Sequence, residues 1–139
     1  MAVASRIETG GADRVVALGI ALLAVVQLGT AALIVLAPHW FFDNVGAFGA
    51  YNSHYVGDVA AFQAGLGAAL AAALVIPALG PGALAAAAAM TGFHALNHWL
   101  DVNDAHPGSA AGVGDAIALT ILFVFAAVLT RAAVRMRTS

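Results

Sequence analysis

Residues 15–37 read VVALGIALLAVVQLGTAALIVLA, without one charged side chain. A helix of about 23 apolar residues crosses a hydrocarbon core of about 30 Å. A cleaved leader is the competing reading, with Arg6 and Arg14 as its basic region. The run exceeds the usual leader core of about 7–15 residues, and no A-x-A cleavage signal follows it. The stretch therefore predicts a first transmembrane helix, with Gln27 near its middle placed to hydrogen-bond to a neighbouring helix.

Upstream, residues 1–14 are polar and contain glycine, which predicts a mobile start. Downstream, Pro38 ends the span and opens an aromatic connector, PHWFFDNVGAFGAYN at 38–52. Trp40, Phe41, Phe42, Phe48 and Tyr51 suit a membrane–water interface, and a short interfacial helix is expected at about 40–48. Asn52 or Ser53 can cap a second span at 54–76, where Gly57, Gly65 and Gly67 would admit a neighbouring backbone. PALGPG at 77–82 is a tight uncharged turn. An alanine-rich third span follows at 83–100, and a polar loop with Pro107, Gly108 and Ser109 at 101–112. A fourth span at 113–130 and the tail RAAVRMRTS close the chain. No fixed-period repeat interrupts this order. The fold class expected is all-α: one domain over 1–139, an integral membrane four-helix bundle.

Composition agrees. Hydrophobic residues make up 63% and charged residues 9% of the 139, against about 45–50% and 25% in an ordinary soluble domain. The absence of cysteine excludes disulfides, thiolate metal sites and redox thiols. All five basic residues, Arg6, Arg14, Arg131, Arg135 and Arg137, lie in the two tails. Four spans with both termini cytoplasmic then satisfy the positive-inside rule, in a multi-pass cell-membrane protein. The opposite side carries Asp43, Asp58, Asp101, Asp104 and Asp115 with no Lys or Arg, together with every Trp, Tyr and His.

The chemistry concentrates in GFHALNHWLDVNDAH, at 92–106. His94, His98 and Asp101 stand at i, i+4 and i+7, within about 60° of one helical face. His94 sits about 9 Å below Leu100, at a depth where ionisable groups usually mark function. The second span offers His54 and Asp58 at i, i+4, and in an antiparallel bundle the two levels coincide. His54, Asp58, His94, His98 and Asp101 form the candidate metal set, with Asp115 near it. Such nitrogen and oxygen donors suit zinc, iron, manganese or copper(II). Asp101 follows a helix C-terminus, where negative charge is disfavoured, so a cation should offset it; Asp58 and Asp115 fall in first turns, where the dipole favours them. The other readings are a structural or proton-relaying polar cluster and, less favoured, haem, whose propionates would meet an acidic surface. Met90 reads as core filler rather than ligand. His39, His106 and Asp104 read as solvated loop residues, and Gln63, opposite His54, as interhelical.

The span count and spacing resemble the small four-helix bacterial membrane proteins of the DoxX-like group. The resemblance is carried by NSHYVGDVAAFQAGLGAAL at 52–70, a polar helix start running into a Gly/Ala-rich span, and the lysine-free Ala/Gly/Val composition looks actinobacterial. It covers about 15–130 and implies a membrane protein linked to redox or sulfur metabolism. It carries over no catalytic residue, and the lack of Cys leaves a thiol-based version without its residues.

Three functions follow as expectations. One is a metal-dependent membrane oxidoreductase or hydrolase acting on a lipophilic small molecule. Another is a non-catalytic cation-binding or transport protein. The third is a structural subunit of a homo-oligomer or larger complex. The partners expected are the lipid bilayer and a lipophilic ligand. Nucleic acid is not among them, because the one basic cluster is the short C-terminal tail, suited to anionic lipid.

Overall fold

The structure is a computed structural model that describes residues 2–104 and 112–138, with side chains from Gly11 onward except Ala12. His106, Pro107, Gly108 and Ser109, read above as loop, lie outside the described residues. The elements are α1 (Ala2–Leu36), α2 (Pro38–Asn44), α3 (Ser53–Val75), a 3-10 turn (Pro77–Leu79), α4 (Gly80–Leu100) and α5 (Val113–Thr138). Among the described residues four stretches are long and apolar enough to cross a membrane: Asp13–Leu36, Ser53–Val75, Pro77–Leu100 and Val113–Thr138.

The helix ends follow local chemistry. Pro38 takes the first turn of α2, where its missing N–H costs nothing. The Asn52 side chain caps α3, accepting from the backbone N–H groups of His54 and Tyr55 at 3.0 and 3.1 Å. Several boundaries depart from expectation: α2 lies at Pro38–Asn44 instead of about 40–48, and α4 starts at Gly80, inside the stretch 77–82 read as a turn. α1 is helical from Ala2 instead of beginning after a mobile arm. α5 runs through the arginine tail to Thr138, because Ala, Arg and Met are strong helix formers and nothing in 131–138 breaks the turn. Arg135 and Arg137 then stand in its last turn, where the dipole favours cations. Arg137 also donates to the Pro77 carbonyl, joining the end of α5 to the 3-10 turn.

α1 packs most extensively on α3, and α4 on α5, while the two pairs meet less fully. At the arginine end they close on one core: Ile20 and Leu23 of α1, Leu70 and Ala73 of α3, Leu84 and Ala87 of α4, and Ala126, Leu129 and Ala133 of α5. Small residues make this closeness possible. A Cβ on Gly67 would meet the Leu28 side chain at 2.6 Å and its backbone nitrogen at 3.0 Å, and one on Gly19 would collide with Leu129. Gly57 and Gly65, expected to serve the same purpose, have nothing within 4 Å. Large apolar side chains such as Leu18, Val35, Phe62, Val75 and Val128 face outward while alanines fill the interior. That inversion of the soluble pattern suits a lipid surround.

At the other end the buried cluster is Ile34, Phe42, Val56 and Ala60, drawn from α1, α2 and α3 alone. There the two pairs part, and a cavity opens between them.

Candidate functional site

The cavity measures about 970 Å³ and is walled by all four long helices and by the aromatic connector. Its size falls at the upper end of ordinary small-molecule sites. α1 contributes Gln27, α3 Val59 and Gln63, the connector Phe41, Phe42 and Phe48, α4 Met90, His94 and His98, and α5 Asp115 and Ala118.

The one-turn spacing of His94 and His98 on α4 brings their Nε2 atoms to 2.9 Å. On its other side, His98 Nδ1 lies 3.0 Å from Asp115 Oδ2 on α5. This is an ion-pair distance without the alignment of a hydrogen bond, since Nδ1 has no hydrogen-bond partner. His98 is 7% exposed, and Phe48 packs edge-on against its ring at 5.0 Å between centroids. The result is a chain, Asp115 to His98 to His94, running from the first turn of α5 to the cavity wall.

Tautomer logic gives that chain a direction. An ionised Asp115 favours the proton on His98 Nδ1. A neutral His98 then accepts at Nε2, so His94 donates from its Nε2 and keeps its lone pair on Nδ1. With that tautomer pair, His94, on the cavity wall, has Nδ1 as its hydrogen-bond acceptor.

The remaining residues of the expected set are placed unevenly. Asp101 is the C-cap of α4 and lines the cavity, as does Asp104. His54 and Asp58 do not line it. They form their own i, i+4 pair at 3.6 Å, with 89% and 55% of their side chains exposed. The five-residue set read from the sequence is therefore not gathered as a unit. Asp58 also lies beyond the first turn of α3, which holds no acidic residue, so the dipole favours it less than expected. Among the described residues no group of three or more His, Asp or Glu is arranged to hold a metal ion.

His39 is exposed and stacks on Tyr51 at 4.1 Å. Gln27, 3% exposed, and Gln63 both face the cavity, and Gln63 Oε1 is buried without a partner. Sequence reasoning underrated Gln63 and gave Asp115 only a nearby place. The available signal was the stripe Val56, Ala60, Gln63, Gly67, Leu70, which has helical spacing and marks the inward face of α3. Compared with known protein families, characterised proteins and solved structures, the chain matches none.

Proposed function

We propose that this chain is a cell-membrane protein, both termini cytoplasmic, whose outward-opening cavity takes a lipophilic small molecule and presents to it the His94 end of a proton relay. The single observation that carries the reading is the His94–His98–Asp115 chain on the wall of a cavity of about 970 Å³. A cluster that only oriented helices would need no space beside it. The cavity walls are largely apolar, and the relay supplies one site that can accept a proton or hydrogen bond without exposing a permanent charge to lipid. Placing the arginines inside follows the positive-inside rule and turns the cavity outward. The DoxX-like resemblance belongs to the same proposal and adds no residue to it.

The test is binding of a neutral hydrophobic dye to purified full-length protein in nanodiscs. Val59→Trp, which fills the cavity, should abolish binding, and His94→Phe should weaken it while leaving the fold intact. Binding unchanged in both variants would sink the cavity reading. For topology, a cysteine at Asn103 should react with an impermeant reagent on intact cells, and one at Thr138 should not.

A metal-dependent oxidoreductase or hydrolase is the second reading, favoured by one observation: two imidazole nitrogens 2.9 Å apart with a carboxylate behind one of them. Carboxylate-backed histidine is a common metal-ligand arrangement. With only two such donors converging, the substrate or a partner would have to complete the shell. Metal analysis of wild type, His94→Ala and His98→Ala separates the readings. Stoichiometric zinc, iron, manganese or copper lost in both variants would favour the metal.

A further inference from the structure

Gln27 was expected to hydrogen-bond to a neighbouring helix, and the structure gives it no such bond. It stands in the inward stripe of α1, among the buried Leu23, Ala24, Ala31 and Ile34, and is itself only 3% exposed. Among the described residues its amide makes no hydrogen bond. The hydroxyls of Thr30 and Thr91 line the same cavity but donate to their own helices, at Val26 and Ala87. Among the described residues, Gln63 Oε1 and His98 Nδ1 are the unpaired side-chain atoms sealed from open space. The Gln27 amide is not one of them, and the open space that Gln27 borders is the cavity. A buried amide without a partner is costly, and a ligand that met it would recover that cost.

The depth of Gln27 decides what such a ligand carries. At a rise of about 1.5 Å per residue, it lies about 14 Å below Leu36, the last residue of α1. Met90 is about 15 Å below Leu100 on α4, and Leu122 about 14 Å below Val113 on α5. These residues and Gln63 form the cavity floor. The carboxylates of the cavity, Asp101, Asp104 and Asp115, belong to the helix ends at its mouth, and the chain has no Lys or Arg between Arg14 and Arg131. The floor thus offers no counter-charge to an anion or a cation, and an ionised group there would be costly.

We infer that the ligand of this cavity is a neutral lipophile bound polar end first, with a carboxamide or hydroxyl paired to the Gln27 amide on the floor. A carboxamide fits best, since its N–H donates to Gln27 Oε1 while its oxygen accepts from Gln27 Nε2. The apolar body runs back past Val59 toward Phe41, Phe42 and Phe48. The inference rests on the cavity being a binding site, as proposed above, and adds the class of molecule it takes and the end that enters first.

Calorimetric titration of the full chain in zwitterionic nanodiscs tests it with phenylbutanamide, butylbenzene and phenylbutylamine. Gln27→Met keeps the length of the side chain and removes its hydrogen bonds. It should weaken phenylbutanamide at least about tenfold, the scale of two hydrogen bonds lost together. Butylbenzene binding should be unchanged in the variant, which also reports an intact fold. The amine should bind the wild type more weakly than the amide. A second readout needs no substitution, because Gln27 and Gln63 are the only glutamines of the chain. In nitrogen-15 spectra of glutamine-labelled wild type, the amide should move one side-chain NH2 signal further than butylbenzene does. Amide binding that survives Gln27→Met, or falls no more than butylbenzene binding, would overturn the assignment while leaving a lipophile site in place. Tighter binding of the amine, or equal spectral shifts, would do the same. Failure of all three probes to bind the wild type would overturn the assignment and count against the cavity reading itself.

Discussion

The two ends of this bundle are built to opposite rules. At the arginine end all four long helices contribute to one alanine-rich core, and Leu23, Leu70 and Leu84 are fully buried. At the histidine end one apolar cluster joins α1, α2 and α3, the buried Ala95, His98 and Ala116 belong to α4 and α5, and the space between the helix pairs is a cavity bordered by carboxylates, imidazoles and phenyl rings. Closure depends on small side chains, which let helices come close enough for dispersion to hold them without a hydrophobic drive. Opening depends on groups that cannot be packed against lipid or alanine at low cost. The closed end is therefore a clamp, and the open end is the part free to bind.

The largest expected effect comes from loosening the clamp. Leu84→Ala removes a fully buried side chain and should cost about 2–5 kcal/mol. Val59→Ala, on the cavity wall, already borders open space and should cost no more than about 1 kcal/mol. Reversible unfolding in mixed micelles measures both, and equal losses would erase the distinction between the ends.

His98→Leu comes next. It leaves Asp115, whose side chain is 22% exposed, without its partner. The cost should be about 2–3 kcal/mol, below the full penalty for a broken buried pair because water still reaches the carboxylate. His54→Ala breaks a second His–Asp pair among the described residues, but both partners are exposed, so no change should be detectable. Should His54→Ala prove as damaging as His98→Leu, the second pair has a structural role that its exposure conceals.

Smaller still is Gly67→Ala, where the added methyl meets Leu28. Overpacking should cost about 1–2 kcal/mol, while Gly65→Ala, two residues away in open space, should be neutral or gain about 0.5 kcal/mol from helix propensity. A gain at both positions would mean that α1 and α3 are not in the close contact described.

Nitrogen-15 spectra of labelled histidine give the finest reading. His98 should carry its proton on Nδ1 and His94 on Nε2, and Asp115→Asn should release that preference. Unchanged tautomers in the variant would show that Asp115 does not direct the chain.

What could be read from residues alone was whatever depends on neighbours along the chain. The four apolar runs, the Asn52 cap and the one-turn spacing of His94 and His98 are set by helical period, length and side-chain chemistry. Which face of each helix turns inward is a different kind of fact, because it minimises a packing energy shared among four helices. On α3 the stripe through Val56, Ala60, Gly67 and Leu70 is buried, and His54, two residues before Val56 and so roughly 200° around the helix, is carried to the outside with Asp58. The same shared packing sets α5 beside α4 so that Asp115 meets His98, a contact between residues 17 positions apart that no helical period connects. The cavity, too, belongs to tertiary structure. It exists because two helix pairs close at one end and part at the other, and the space left between them is written in no single helix.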